Sequence, residues 1–303
     1  MILSVNNIYK SFGEKQVLKG ISFSAESGKA LGVLGRNGAG KTTLIRIIMQ
    51  VFAPDSGAVY IDKTPISDTN VSFGYLPEER GLYPKKKISS QLMYFAELKG
   101  VPRAKATANI DRLLAKLEIS EYKNTRLDSL SKGNQQKVQL IAALISDPDI
   151  IVLDEPFSGL DPVNAGILKE LVKELISEGK LVLFSSHQMN YIEEFCNDIV
   201  ILNGGHIVAN GTIRDIKHQF ARNIMEVSCE DTVAVTDAIN NAGMPFVKNL
   251  VMQDGCVFVT LDNENRKFDF MEKAAALGVD IDGIRVKEPN LNDIFIHYTE
   301  GQI

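Results

Sequence analysis

The rhythm of hydrophobic and polar positions changes several times along the chain. ILSVNNIYKSF (2–12) and ISFSAESG (21–28) alternate loosely and break at glycine, as strands of a β-rich layer do. ALGVLG (30–35) is a short apolar run ending at Gly35, and after a glycine-rich loop TTLIRIIMQVF (42–52) has the length and spacing of a helix that stops before PDSG. From about Leu82 to Leu144 there are no β-branched strand runs. SSQLMYFAELKG, ATANIDRLLAKLEI and NQQKVQLIAALI read instead as successive helices, a helical insert over about 82–145. IIVLD, LVLFSS and DIVIL then return as buried parallel strands alternating with helices such as NAGILKELVKELISEG, the pattern of an α/β sheet covered on both faces.

This first domain is expected to close near Arg222, giving 1–222. In 223–303, IMEVSC, TVAVTDAINNAG, FVKNLVMQ, CVFVTL, RKFDFMEKAAALG and VDIDGIRV read in order as β, α, β, β, α, β, with a short helix around LNDIFIHY. That order predicts a small α+β accessory domain of ferredoxin-like form. No internal repeat, low-complexity tract or Pro/Ser-rich linker interrupts it.

Composition narrows the class. A chain of 303 residues with 45% hydrophobic content is enough for about two conventional cores. The formal net charge of -5 argues against a nucleic-acid partner, which calls for a basic stripe. No apolar run reaches the roughly 18 residues of a membrane span. The start, MILSVNNIYKSF, lacks the basic-then-apolar order of a signal peptide, so a cytoplasmic location is expected. Cys196, Cys229 and Cys256 are far apart and form no CxxC, so buried reduced thiols are expected rather than a metal site or a disulfide.

GRNGAGKTT (35–43) fits G-x-x-x-x-G-K-[ST] and sits between the strand and helix that this motif requires. Glycines 35, 38 and 40 let the backbone curl so that successive N–H groups face phosphate oxygens, and the following helix adds its positive end. The candidate nucleotide site therefore comprises Gly35, Asn37, Gly38, Ala39, Gly40, Lys41, Thr42 and Thr43. Within it Lys41 offers a point charge to the β- and γ-phosphates, and Thr42 a hydroxyl to Mg²⁺. IIVLDE (150–155) is an apolar strand ending in two carboxylates, where α/β sheets place ligands. Adjacent residues on a strand diverge. Asp154 is expected to hold the Mg²⁺ through its water shell and Glu155 to polarise the attacking water.

LGRNGAGKTTL, LSKGNQQ, IIVLDEP, SGLD and SSH stand in the order and spacing of the ATP-binding cassette (ABC) family, and the resemblance covers about Met1 to Arg222. It implies a P-loop ABC ATPase core with an antiparallel β layer and a helical insert, using ATP and Mg²⁺. In that family the segment equivalent to LSKGNQQ caps the ATP held by a second nucleotide-binding domain. Ser131, the backbone N–H of Gly133, and Asn134 are thus implied contacts in trans, while Ser131 also fits an ordinary helix N-cap. SGLD, ending at Asp161, resembles the loop that crosses the dimer seam and couples the two sites. A β-turn with Pro162 opening a helix is the other reading.

His187, after LVLFSS, matches the histidine that senses the γ-phosphate. Phe12 stands where the family puts an aromatic against adenine, and a core phenylalanine is the alternative. Two departures from the common spelling are Lys132 and Asn134 in LSKGNQQ, and a third is Glu78 in FGYLPEER. Glutamine usually stands at the position of Glu78; a carboxylate still suits Mg²⁺ but adds negative charge near the triphosphate, unless the side chain faces solvent. Lys85, Lys86 and Lys87 read as a solvated charge run, with contact to a membrane partner or its anionic lipid surface as the other reading.

The resemblance implies an ATP-hydrolysing subunit that energises a separate integral-membrane permease, peripheral to the inner face of the membrane and paired with a second nucleotide-binding domain. YLPEERGLYP and EPNLNDIF resemble the bacterial exporter branch that includes sodium-efflux and drug- or peptide-resistance ATPases. A soluble cassette ATPase acting on ribosomes or DNA is the alternative; it calls for a second cassette or a basic coiled-coil insertion. A GTPase would need N-K-x-D, which this chain lacks.

Overall fold

The computed structural model describes all residues except Arg80, Ala221 and 301–303. Two compact units divide the chain. One comprises Met1–Ile213 together with the chain from Phe295 onward; the other is Arg214–Ile294.

In the first unit β1 (Ile2–Phe12) and β2 (Lys15–Glu26) form an antiparallel hairpin. Their alternation sends Leu3, Val5, Ile8, Leu18, Ile21 and Phe23 inward. β3 (Ala30–Gly35) leads through the glycine loop into α1 (Lys41–Ile48). The helix predicted to reach residue 52 ends at Ile48 because Gln50 takes a left-handed φ of 58°. Next come β4 (Ser56–Ile61), β5 (Thr64–Pro65) and β6 (Phe73–Leu76). The expected helical insert follows as α2 (Ile88–Leu98), α3 (Arg103–Lys116) and α4 (Lys132–Leu144), which bury Leu92, Ile110, Leu113 and Val138. The α/β half resumes with β7 (Ile150–Asp154), α5 (Pro162–Ser177), β8 (Leu181–Ser185), α6 (Met189–Phe195), β9 (Asp198–Asn203) and β10 (His206–Thr212).

These strands make two sheets, ordered β2-β1-β4-β5 and β10-β9-β3-β8-β7-β6. In the second, every neighbouring pair is parallel except β10 with β9. Every residue of β7 and of β8 is buried, which explains their unbroken apolar runs. One core joins both sheets to Leu44, Ile45, Ile47 and Ile48 of α1. Parallel alignment brings the C-terminal ends of β3, β6, β7 and β8 to one edge, so the glycine loop, Glu78, the Asp154–Glu155 pair and His187 emerge together.

After α7 (Ile213–His218), the second unit contains β11 (Ile224–Ser228), α8 (Thr232–Asn241), β12 (Val247–Gln253), β13 (Cys256–Leu261), α9 (Lys267–Ala275) and β14 (Gly283–Val286). Its antiparallel sheet runs β12-β13-β11-β14, the order of a ferredoxin-like unit. Val235 and Ile239 of α8, with Phe270 and Ala274 of α9, bury one face. The division of the chain differs from a cut at 222/223. The compact boundary falls after Ile213, and the second half of α10 (Leu291–Glu300) belongs with the first unit. Local periodicity carries no signal for such a return.

Candidate nucleotide site

The glycine loop is shaped by what lies behind it. A Cβ on Gly40, whose φ is 109°, would stand 2.6 Å from Leu18 Cδ2 and 3.2 Å from the carbonyl oxygen of Val17. A Cβ on Gly35 would stand 2.7 Å from the carbonyl oxygen of Leu202 on neighbouring β9. Only glycine fits both places. Ala39 is buried in the core beneath the loop and donates its N–H to the carbonyl oxygen of Arg36 at 3.0 Å, so it supports the loop from within. Lys41 turns back over its own loop and donates from Nζ to the carbonyl oxygen of Gly35 at 2.5 Å. Burial pushes its pKa down, against the opposing pull of Asp154, Glu155 and Glu78.

A cleft of about 990 Å³ opens over the loop. Its walls include Gly35, Asn37, Gly38, Gly40, Lys41, Thr42 and Thr43 from the loop, and Glu78, Asp154, Glu155 and His187 from the other strand ends. The structure thus brings the predicted cradle, both acids and the histidine into one site. Burial raises the pKa of Asp154, and the nearby charges of Glu78 and Glu155 add to that rise. Glu155, one residue past β7, holds a left-handed φ of 49°, an unfavourable backbone of the kind that persists where surroundings over-determine it.

Those surroundings form a clasp. Glu155 Oε1 accepts the His187 backbone N–H at 2.7 Å and lies 2.7 Å from His187 Nδ1, while Oε2 accepts the Ser186 hydroxyl at 2.9 Å. With the carboxylate ionised, Nδ1 donates to Oε1, and the ring that it orients is 74% exposed. Such a carboxylate is oriented on both oxygens, beside the place where a triphosphate would lie. The carboxylate is thereby held in one orientation at the cleft wall.

Comparison with known proteins agrees with this geometry. Residues 18–158 match the family model described as ABC transporter, and residues 211–299 match that of the ATP-binding protein DrrA1-3-like, C-terminal domain. The chain is 36% identical over 296 residues to an uncharacterized ABC transporter ATP-binding protein, YhaQ, of Bacillus subtilis, covering 97% of both proteins. The chain belongs to the ABC transporter ATP-binding proteins. It is also 30% identical to a Nod factor export ATP-binding protein I of Paraburkholderia xenovorans, over 78% of this chain and 80% of that one. Among solved structures, the ATP-binding subunit of an ABC transporter superposes with a TM-score of 0.67 at 30% identity, covering 73% of this chain and 93% of that one. These relatives are transporter subunits, which sets aside the ribosome- or DNA-directed alternative. As a member of this family the chain is an ATPase.

Within this ABC ATPase, the remaining predicted residues lie elsewhere. Ser131, Gly133, Asn134 and Asp161 are not among the residues lining the cleft. Ser131 caps α4, its hydroxyl accepting the Asn134 N–H at 3.3 Å. Asp161 caps α5, accepting the Val163 and Asn164 N–H groups at 3.0 and 2.9 Å, with Pro162 in the first helical turn. The two segments also pack together. A Cβ on Gly133 would stand 3.1 Å from Asn164 Nδ2, which itself donates to Asp161 at 2.5 Å. Phe12 is 51% exposed, edge-on to Phe52 at 5.7 Å, so the core reading does not hold. It does not line the cleft, whereas Lys15 and Val17 of the same hairpin do. Glu78 is exposed and lines the cleft, so exposure and proximity to the site hold at once.

Sequence reasoning missed Ser186 and Gln139. Buried Gln139, in α4, donates to the carbonyl oxygens of Pro77 and Glu79 at 3.2 and 3.0 Å, clamping the turn that carries Glu78. A lone amide inside the apolar run KVQLIAAL was the available signal, since a buried amide must find partners. Phe295, which also lines the cleft, closes the segment EPNLNDIF, but nothing in that segment's local pattern places it at the nucleotide site.

Proposed function

We propose that this ABC ATPase is one of two facing nucleotide-binding domains that drive export through a separate integral-membrane permease, seated peripherally on the cytoplasmic face of the membrane. The observation that carries the pairing is the separation, on one chain, of the phosphate cleft from LSKGNQQ and SGLD. Both segments are capped and packed on each other, yet they are absent from the wall of their own cleft. A second domain, facing the first, would present them to the phosphates. Each ATP would then lie between one partner's glycine loop and the other's Ser131 and Gly133.

Within a closed site Lys41 would leave the Gly35 carbonyl for the β- and γ-phosphates, helped by the positive end of α1. Glu155 would take the proton of the attacking water, held in place by Ser186 and His187. His187 would meet the γ-phosphate from its exposed edge. Thr42, Asp154 and Glu78 present hard oxygen donors to one cleft, which suits Mg²⁺. No group of three or more His, Cys, Asp or Glu among the described residues would hold a metal alone, so the nucleotide's own oxygens would complete the shell. Mg²⁺ would supply charge neutralisation across the phosphates.

Among the described residues no helix is long and apolar enough to cross a membrane, so the cargo path would lie in another polypeptide. The docking place is a groove of about 320 Å³ beside α2, lined by Tyr83, Lys86, Ser90, Gln91 and Tyr94. Gln139 clamps the turn bearing Glu78, a cleft residue, and Tyr83 of the groove follows it closely in sequence. Export follows the Nod factor relative. The test is to co-purify and reconstitute the membrane partner and measure ATP turnover. Tyr94→Arg should abolish stimulation by the partner and leave basal hydrolysis intact. Full stimulation of that variant would refute the docking site.

A further inference from the structure

One wall of the cleft is contributed by neither the glycine loop, the strand ends nor the β1–β2 hairpin. It is Phe295, in α10. From Phe295 on, α10 is part of the first compact unit, and several contacts hold its last turn there. Asn203, at the end of β9, donates from Nδ2 to the carbonyl oxygens of Tyr298 and Thr299 at 3.2 and 3.3 Å. The last carbonyls of a helix have no partners within it, so this amide acts as a cap from another element. Arg36, the second residue of the glycine loop, pairs with Glu300 at 3.1 Å. A glutamate opposes the dipole at a helix C-terminus, and the guanidinium offsets that placement. The Thr299 hydroxyl donates to the Phe295 carbonyl at 2.7 Å, tying the capped turn to the residue that lines the cleft.

We propose that α10 completes the nucleotide site, with Phe295 as a nucleotide-binding residue that packs against the nucleoside part of ATP. Asn203 is the positioning residue that keeps it there. This rests on the reading of the cleft as the ATP site. The chemistry selects the nucleoside half: an aromatic ring has no donor for a triphosphate, but it offers an apolar face to sugar and base. Phe12, the sequence's candidate for that role, is not among the residues lining the cleft. The ion pair to Arg36 adds a direct link between the phosphate loop and the chain's last turn.

The test uses the full chain, with steady-state ATP turnover and competition by inorganic tripolyphosphate, which has phosphates and no nucleoside. Phe295→Ala should raise KM for ATP roughly five-fold or more, the low end of base–aromatic stacking, while kcat and inhibition by tripolyphosphate stay unchanged. Phe295→Tyr should restore KM. Asn203→Asp cannot donate and turns a negative charge toward helix carbonyls; it should also raise KM, but add nothing in the Phe295→Ala background. An unchanged KM in Phe295→Ala, equal weakening of tripolyphosphate, or additive effects of the two substitutions would each overturn the proposal. If Phe295→Ala lowers the melting temperature, Asn203→Asp alone and with Phe295→Tyr decides the matter by the same KM readout. Lys41→Ala separates the two readings: if it leaves ATP and tripolyphosphate binding intact, the cleft itself is not the ATP site.

Discussion

Replacing Glu155 by glutamine removes one charge from a carboxyl that is 7% exposed and bonded on both oxygens. The shape survives. The amide oxygen of Glu155→Gln can still accept the His187 N–H, and the Ser186 hydroxyl can rotate to accept from the new NH₂ group. Two energetic effects oppose each other. Charged hydrogen bonds worth about 1.5–3 kcal/mol weaken. Repulsion from Asp154, whose carboxyl is held above its ordinary range by burial and then by Glu78 and Glu155, is relieved. The net change in stability should stay below about 2 kcal/mol, a shift of a few degrees in melting temperature for a unit of this size. Catalysis has no such compensation, because an amide cannot take a proton from water. Loss of a general base costs roughly 10²–10⁴ in rate. The assay is phosphate release at saturating ATP, with gel filtration in ATP and Mg²⁺ to detect the closed pair. Turnover should fall by at least about 10² while a nucleotide-dependent dimer accumulates. Turnover within ten-fold of the parent, with a folded protein, would refute the assignment of Glu155 as base.

Gly40→Ala places a Cβ 2.6 Å from Leu18 Cδ2 at a φ of 109°, and should destabilise the chain by about 2–3 kcal/mol and weaken ATP binding, as read by melting and calorimetric titration. Asp154 is an acid whose folded pKa is raised, chiefly by burial, so its contribution to stability is greatest at low pH and falls as pH rises through the folded value. Asp154→Asn should therefore melt higher than the parent at neutral pH without nucleotide, lose that advantage below about pH 4, and lose Mg²⁺-dependent ATP affinity. A mixture of Ser131→Arg and Lys41→Ala chains, in a system shown to form mixed pairs, should regain turnover that neither has alone, because both lesions can fall in the same composite site. Absence of rescue would place LSKGNQQ outside the site.

Chemistry carried by neighbours in the chain was legible before any coordinates. The cradle from Gly35 to Thr43 needs only a strand, a curl and a helix in succession, and each announces itself locally. The same is true of the caps at Ser131 and Asp161, where a hydroxyl or carboxylate before a helix is a strong local signal. The ferredoxin-like order of the second unit followed from alternation. Strands β4, β6 and β10 escaped notice, being short or half-exposed, with patterns too brief to stand apart from loops. His187 and Glu155 were both singled out, but their mutual bond depends on β7 and β8 lying side by side, which no local pattern encodes. The contact between Asn203 and the last turn of α10 joins residues more than ninety positions apart and left no trace in composition or spacing.

The polypeptide leaves its ATPase body at Ile213 and re-enters it at Phe295, so residues 214–294 are an excursion leashed at both ends. The entropy of a closed loop grows only with the logarithm of its length. The excursion, which carries the first turn of α10 with it, can therefore melt at little entropic cost to the last turn, which Asn203 keeps seated. Heating should accordingly show two separate calorimetric transitions, and nucleotide should shift only the one belonging to the body.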